Sequence, residues 1–272
     1  MYNIFDSHAH YDDKWFDENR DELLSSMKEN GVCNIVNASV NFQSTEYALK
    51  LAEKYPFIYT TVGFHPENLE DLTDNYIEKM AKYLENPRVV AIGEIGLDYH
   101  WDIPKDKQKV VFEEQLKLAI DTNTPVVVHD REAHGDTMDF LRKYKPKGLM
   151  HCFSGSVELM REVVKLGMSI SLGGVVTFKN ARHSVEVAKE VPLDRLLLET
   201  DAPYMAPVPF RGKQCNSTMI AYVAEKIAEI RNMTPQEILD ITKENALRLY
   251  EIKWEKHNRF FGCVFICSYL YY

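Results

Sequence analysis

The sequence predicts an α/β fold: a single-domain TIM-type (β/α)8 barrel in which eight parallel strands alternate with eight helices. Short apolar runs rich in β-branched residues recur along the chain, and each is followed by a longer stretch with helical spacing of its apolar residues. Parallel strands need long crossovers, so this alternation predicts a parallel sheet. No glycine-rich phosphate fingerprint follows the first run, which favours a closed barrel over an open doubly wound sheet.

The predicted strands cover residues 3–5, 33–38, 58–63, 89–93, 125–128, 148–150, 168–172 and 196–199. The predicted helices between them cover residues 17–30, 44–55, 74–85, 107–122, 133–144, 157–166 and 181–190, and another follows at 217–231. A last helix is predicted to begin at Thr234 and Pro235, because threonine is a favoured N-cap and proline fits the first helical position. No linker rich in proline, glycine or serine divides the sequence, so we expect one domain over residues 1–252.

The remaining segment, residues 253–272, is predicted to be an atypical aromatic C-terminal extension, and we assign it no function. No apolar run reaches the roughly 18 residues of a membrane-spanning helix. The first residues lack the basic and apolar regions of a secretory signal. The five cysteines are scattered, which suits reduced thiols. We therefore expect a cytoplasmic protein with no membrane contact and no obligate protein partner.

The formal net charge of −9 restricts the kind of partner. Proteins that grip duplex nucleic acid over a broad surface depend on lysine and arginine to neutralise phosphates. The charge therefore argues against that class of protein. A pocket for one or two phosphates remains open, because local cations and bound metal ions create a positive field that the sequence charge omits.

Side chains that bind metals or move protons fall at the carboxyl ends of six predicted strands, the face on which barrel enzymes build their sites. They are His8, His10, His65, Glu94, His129, His151 and Asp201. Each alone could be a structural polar residue, such as a satisfied histidine or a carboxylate paired with arginine. Their convergence on one rim favours a metal site, because buried charges without a partner are costly and a metal ion supplies the counter-charge.

The size of this set favours two metal ions over one. A catalytic zinc usually takes three protein ligands, and four imidazoles with two carboxylates exceed that need. Two ions about 3.5–4 Å apart, with Glu94 and a water or hydroxide between them, use the set better. The chemistry that follows is hydrolysis, in which Asp201 accepts or orients the proton of the attacking water. Nitrogen ligands suit zinc, manganese or iron, whereas magnesium prefers oxygen.

Six motifs in this order resemble the TatD family of metal-dependent deoxyribonucleases, within the amidohydrolase superfamily. The resemblance runs from about residue 2 to residue 250. The motifs are Phe5-Asp6-Ser7-His8-Ala9-His10, Val62-Gly63-Phe64-His65-Pro66, Ala91-Ile92-Gly93-Glu94-Ile95-Gly96-Leu97-Asp98-Tyr99, Val128-His129-Asp130-Arg131, His151-Cys152-Phe153-Ser154-Gly155 and Glu199-Thr200-Asp201-Ala202-Pro203-Tyr204.

The resemblance implies the identity of the metal ligands and of the catalytic residues. The implied ligands are His8, His10, Glu94, His129, His151 and Asp201. It also implies that His65 contacts phosphate or assists proton transfer, which makes His65, Glu94 and Asp201 the catalytic candidates. The implied activity is cleavage of phosphodiester bonds of DNA, often from the 3′ end and often with magnesium or manganese.

Four further side chains are candidates for substrate contacts. Arg131 lies two residues past His129, and a forked guanidinium suits phosphate, although pairing with a rim carboxylate is an equal alternative. Tyr99 and Tyr204 flank predicted ligands and could stack on bases or pack in the wall. Arg211 lies in the loop after strand eight, where the family's Asn-Glu-Pro is replaced by residues 216–218, Asn-Ser-Thr.

The favoured function is an exonuclease, because a metal site recessed among loops admits a strand end more easily than the middle of a duplex. The resemblance implies that it is a 3′–5′ exodeoxyribonuclease, with single-stranded DNA ends as the expected substrate. An alternative is hydrolysis of an amide or ester, in a small substrate or an aminoacyl-tRNA. The superfamily's metal centre activates water for either electrophile, so the fold alone does not decide. A third reading is a binding protein without turnover, but such a protein would not need the acid-base group Asp201.

Overall fold

The computed structural model describes residues 1–253, and its eight parallel strands form one sheet in chain order. The strands are β1 (Ile4–Ala9), β2 (Val32–Asn37), β3 (Ile58–Val62), β4 (Val89–Asp98), β5 (Val126–Arg131), β6 (Gly148–Met150), β7 (Ser169–Leu172) and β8 (Leu196–Leu198). Each strand pairs in parallel with the next. The predicted single-domain barrel is confirmed.

The helices follow the strands in alternation. They are α1 (Arg20–Ser26), α2 (Phe42–Lys54), α3 (Tyr76–Tyr83), α4 (Lys105–Thr122), α5 (His134–Tyr144), α6 (Val157–Lys165), α7 (Arg182–Glu190), α8 (Ile220–Arg231) and α9 (Pro235–Leu249). The helix predicted over residues 17–30 was too long, because turns lead from Met27 into β2 through Gly31, whose φ is 85°. The helix predicted from residue 217 begins as a 3-10 turn, Ser217–Met219, before α8.

The barrel closes between β1 and β8 at the carboxyl ends of the strands. Ala9 and Ala202 form an isolated parallel bridge. The His10 amide donates to the Ala202 carbonyl oxygen at 2.7 Å, and the Asp201 amide donates to the His8 carbonyl oxygen at 3.0 Å. These backbone bonds bring together candidate ligands that lie far apart in the sequence.

Strand β4 is longer than predicted, so Glu94 lies within the strand and not at its end. The strand continues to Asp98 because Gly96 allows a close approach to β5. Its φ is 151°, and a Cβ at this position would lie 1.9 Å from the His129 carbonyl oxygen. The register with β5 shifts between Ile92 and Ile95, the segment that contains Glu94.

The opposite, amino-terminal end of the barrel is closed by α9. Leu247 and Tyr250 pack there against apolar side chains from six strands, which are Phe5, Val36, Ala91, Val127, Leu149 and Leu197. Helix α9 begins as predicted, with Thr234 as the N-cap and Pro235 in the first turn. Thr234 and Glu237 also form a reciprocal capping box. Apolar packing thus fills one end of the barrel and leaves the polar side chains to the other.

Two buried glutamines of α4 hold the carboxyl ends of β3 and β4. Gln115 Oε1 accepts the Phe64 amide at 2.7 Å, and its Nε2 donates to the Phe64 carbonyl oxygen at 3.2 Å. Gln108 makes the same two bonds to Asp98, both at 2.8 Å. Because Phe64 precedes His65, Gln115 fixes the backbone that carries a candidate site residue.

We expect Gln115→Ala to lower the free energy of unfolding by about 2–4 kcal/mol, because it leaves two buried backbone groups of Phe64 without their partner. Denaturant unfolding followed by circular dichroism measures this change. Gln43→Ala, on the exposed surface of α2, is the matched control and should change stability by less than about 0.5 kcal/mol. An equally small effect of Gln115→Ala would show that the bonds from Gln115 to the Phe64 backbone do not stabilise the fold.

None of the helices within residues 1–253 combines the length and the apolar character that a membrane span requires. The predicted C-terminal extension lies outside the described residues, except for Lys253.

Candidate metal centre

Glu94 is only 3% exposed and lies at the centre of the candidate site, where its two carboxylate oxygens face different histidines. Oε2 lies 3.2 Å from His8 Nε2 and 3.5 Å from His10 Nε2. Asp201 lies on the same side, with Oδ1 at 3.4 Å from His10 Nε2 and 3.6 Å from His8 Nε2. We call His8, His10 and Asp201 the first ligand group.

The other oxygen of Glu94 faces the histidines of β5 and β6. Oε1 lies 2.8 Å from His129 Nδ1 and 2.8 Å from His151 Nε2. We call His129 and His151 the second ligand group. All six predicted ligands therefore meet on one rim of the barrel, and Glu94 offers one oxygen to each group.

The outward nitrogens of two histidines each face an acceptor that fixes the tautomer. His10 Nδ1 lies 2.9 Å from the Ala38 carbonyl oxygen, and His129 Nε2 lies 3.0 Å from Asp98 Oδ2. Because the proton of each of these neutral rings belongs on the outward nitrogen, the inward nitrogen presents a lone pair, as in metal-ligating histidines. His151 Nδ1 faces Glu199 Oε1 at 3.6 Å, beyond hydrogen-bond distance.

The inward nitrogens of the histidines face one another at short range. The Nε2 atoms of His8 and His10 are 3.0 Å apart, and His129 Nδ1 lies 3.2 Å from His151 Nε2. Two lone pairs at this distance repel unless a proton or a metal ion lies between them. The donor set of imidazoles and carboxylates therefore fits divalent metal ions, and suits zinc or manganese better than magnesium.

The electrostatics of the cluster show how protons and metal ions compete for it. Burial lowers the pKa of His10, but the hydrogen bond to Asp201 and the charge of Glu94 outweigh burial and raise that pKa to about 9. Burial disfavours the ionised form of Glu94, yet the charges of His151 and His8 hold its pKa well below the usual range. A metal ion would take the place of such protons, so its binding should release protons.

His65 differs from His10 and His129 in that its proton lies on the ring nitrogen that faces Glu94. Its Nδ1 accepts the Glu67 amide at 3.2 Å, so the neutral ring carries its proton on Nε2, which lies 3.5 Å from Glu94 Oε1. Burial and the charge of His129 lower the pKa of His65 to about 3, which keeps the ring neutral near pH 7. His65 therefore presents an N–H donor to the site.

A cavity of about 320 Å³ adjoins the metal centre on the side of β5 to β8. Its polar wall includes His129, Arg131, His151 and Asp201, and its apolar wall includes Phe153, Leu172, Val175, Val176 and Met205. A larger cavity, of about 610 Å³, is lined by Tyr2, Cys33 and Arg88 among others and includes none of the candidate ligands. Of these two cavities, the smaller one adjoins the candidate ligands.

The two arginines predicted to contact substrate are both exposed. The Arg131 guanidinium lies 5.8 Å from the centroid of the Trp101 ring. The Arg211 guanidinium lies 4.1 Å from the ring centroid of Phe178, in the neighbouring loop after β7. Neither forms an ion pair within the described part of the chain, so the equal alternative considered for Arg131, pairing with a rim carboxylate, is not what the structure shows.

The two predicted aromatic contacts have different surroundings. Tyr204 is exposed, and its hydroxyl donates to Asp13 Oδ2 at 2.7 Å. Tyr99 is half-buried, with its hydroxyl bonded to Asp136 at 2.5 Å and the Lys105 ammonium 4.2 Å from its ring centroid. Tyr99 therefore packs between α4 and α5, which corresponds to the alternative of wall packing.

Sequence reasoning assigned no role to Asp98 or Glu199, although both lie within the motifs that contain Glu94 and Asp201. The sequence did contain a signal for both residues, because each is a carboxylate within four residues of a predicted ligand. Which histidine each carboxylate faces depends on the register of β4 with β5 and on the registers that link β6, β7 and β8. Periodicity in a sequence does not give register.

We expect Glu199→Gln to weaken metal binding about 10–100-fold, the usual effect of changing a partner that orients a ligating histidine. Glutamine can keep the bond that Glu199 Oε1 accepts from the Cys152 amide at 2.6 Å, so the fold should persist. Calorimetric metal titration with a thermal melt measures both. Glu190→Gln, on the exposed end of α7, is the control, and an unchanged affinity of Glu199→Gln would contradict the orienting role.

Comparison with known proteins gives consistent similarities. A family model described as TatD related DNase matches residues 5–251. The uncharacterized metal-dependent hydrolase YabD of Bacillus subtilis is 44% identical over 253 residues, which cover 92% of this chain and 99% of that protein. The uncharacterized metal-dependent hydrolase YcfH of Escherichia coli is 34% identical, covering 92% of this chain and 96% of that one. The crystal structure of the TatD homolog YjjV from E. coli superposes with a TM-score of 0.86 at 32% identity, covering 92% and 99% of the two chains.

Proposed function

This chain belongs to the TatD-related DNase family and is a metal-dependent hydrolase, and we propose that it removes nucleotides from the 3′ end of single-stranded DNA. The observation that carries the proposal is the cavity of about 320 Å³ against the metal centre. Its volume suits one nucleoside, and its walls combine apolar surface with Arg131 and the second ligand group. Such a cavity accepts the end of a strand and excludes the middle of a duplex.

Two divalent ions would be held by the two ligand groups, with Glu94 between them. The first group offers His8, His10 and Asp201, and the second offers His129 and His151. When bound, such ions supply a water nucleophile at neutral pH and stabilise charge on the phosphate. The imidazole-rich set favours manganese or zinc, whereas the family resemblance favours magnesium or manganese.

The side chains around the ligand groups have roles that follow from their protonation and position. Arg131, at the lip of the cavity, can hold a non-bridging phosphate oxygen through its forked donors. His65 Nε2, an N–H donor, faces Glu94 Oε1 at 3.5 Å, beside the second ligand group. Burial raises the pKa of Asp201, but its hydrogen bond from His10 and the charge of His151 outweigh burial and lower it, so Asp201 is ionised and can accept the proton of the attacking water.

The experiment that tests this function is an assay of the metal-reconstituted protein on 5′-labelled single strands, resolved by product length. A ladder that shortens by one nucleotide at a time from the 3′ end is the expected result. Protein treated with a chelator should be inactive and should recover when manganese or zinc is added.

A panel of amides and esters, assayed under the same conditions, separates this function from its main alternative. Turnover of an amide or ester without cleavage of any oligonucleotide would overturn the proposal. Cleavage within the strand, with no ladder, would overturn the exonuclease part alone.

A further inference from the structure

A narrow apolar surface leads away from the cavity over the loop that follows β8. It consists of Met205, Tyr204 and Trp15, whose side chains are 45%, 46% and 47% exposed. Met205 lines the cavity, Tyr204 is its neighbour in the chain, and the Tyr204 and Trp15 ring centroids are 6.1 Å apart. We call these three residues the apolar strip.

One carboxylate, that of Asp13, binds the backbone of Trp15 and the ring hydroxyl of Tyr204. Asp13 Oδ1 accepts the Trp15 amide at 2.7 Å, and Asp13 Oδ2 accepts the Tyr204 hydroxyl at 2.7 Å. The Tyr204 amide donates to the Asp201 carbonyl oxygen at 2.8 Å, which ties the strip to the first ligand group. The rings are therefore exposed but organised, as a stacking surface requires.

We propose that the apolar strip binds the bases of the one or two nucleotides that precede the nucleotide in the cavity. This inference rests on the proposed function and names how its substrate is held. Met205 belongs to both the cavity and the apolar strip, so a DNA strand whose last nucleotide lies in the cavity continues over the strip. Exposed aromatic rings beside a nucleic-acid site bind bases by stacking, without regard to base identity.

The carboxylates around the apolar strip determine whether the strip binds the bases or the phosphates of the DNA strand. Asp13 lies between the two rings, and Asp201 adjoins Tyr204, so phosphates are repelled from this surface while uncharged base faces are not. The phosphates should instead lie toward exposed cations beside the strip and the cavity, among them Lys14, Arg131 and Arg211. The strip therefore contributes base-dependent affinity and not backbone affinity.

The test compares two strands that share a backbone but differ in bases. Binding of phosphorothioate-linked pentathymidylate, which resists hydrolysis, and of its abasic analogue is measured by anisotropy with the metal-loaded protein. We expect the wild-type chain to prefer the strand with bases by about ten-fold or more, in line with the usual size of base–aromatic stacking. Trp15→Ala and Tyr204→Ala should each lower this preference several-fold while affinity for the abasic strand stays unchanged.

Three further variants serve as controls. Trp15→Phe and Tyr204→Phe retain a ring and should keep most of the preference, which also covers the case in which an alanine variant does not fold. Tyr47→Ala removes an exposed ring on α2 and should have no effect.

Each outcome distinguishes this inference from the function on which it rests. Cleavage of DNA by the wild-type chain together with an unchanged preference in Trp15→Ala and Tyr204→Ala overturns the strip and leaves the nuclease function standing. A wild-type chain that cleaves DNA but binds both strands equally also overturns the strip. A wild-type chain that neither cleaves nor binds either strand overturns both.

Discussion

Replacing Glu94 with glutamine is expected to remove most of the activity and one equivalent of bound metal while the fold stays intact. The two oxygens of Glu94 face different ligand groups, at 2.8 Å from His129 Nδ1 and 3.2 Å from His8 Nε2. Glutamine has the same size but no charge, and its amide nitrogen cannot bind a metal ion. One of the two ligand groups should therefore lose the carboxylate oxygen that Glu94 offers to it.

Elemental analysis of the purified variant, a thermal melt and the 5′-labelled strand assay measure the three parts of this expectation. Glu132→Gln is the matched control, because Glu132 lies on the same rim, is exposed, and pairs with His100 at 2.9 Å instead of with a ligand. Unchanged metal content with full activity in Glu94→Gln would refute the shared role of this carboxylate.

The order of strands and the position of the site were predictable from the sequence, because both depend on local patterns. The alternation of apolar runs with helical stretches predicts eight strands. Each candidate histidine follows a predicted strand, which places that histidine on the rim formed by the carboxyl ends of the strands. The end of β4 was not predictable. Gly96 looks like a strand breaker in isolation, and only its contact with the His129 carbonyl explains why the strand passes through it.

The partners of the ligands were harder to predict than the ligands. Asp98 of β4 bonds His129 of the neighbouring β5, and Glu199, which follows β8, faces His151, which follows β6. Such contacts depend on the register between strands. Trp15 carried no signal, because it lies in a short 3-10 helix outside the six motifs, five residues after His10. Its closeness to Tyr204 follows from the closure of β8 against β1, which is a property of the whole barrel.

Asp201→Asn should lower turnover by about 10²–10⁴-fold, with a much smaller effect on substrate affinity, if Asp201 takes the proton of the attacking water. Asparagine keeps one carbonyl oxygen for a metal ion but cannot accept a proton. It also tolerates the positive φ of 58° at this position, so the backbone bonds to β1 should survive. The alternative is that Asp201 only holds a metal ion, since its Oδ1 lies 3.4 Å from His10 Nε2.

The rate of strand cleavage, measured against added manganese, separates these two roles of Asp201. His10→Gln provides the comparison, because a variant that has lost only a ligand should regain activity as the metal concentration rises. Asp201→Asn should bind metal under the same conditions and remain slow, since metal cannot restore a missing proton acceptor. Full recovery of Asp201→Asn at high manganese would exclude the proton-transfer role and make Asp201 a ligand like His10.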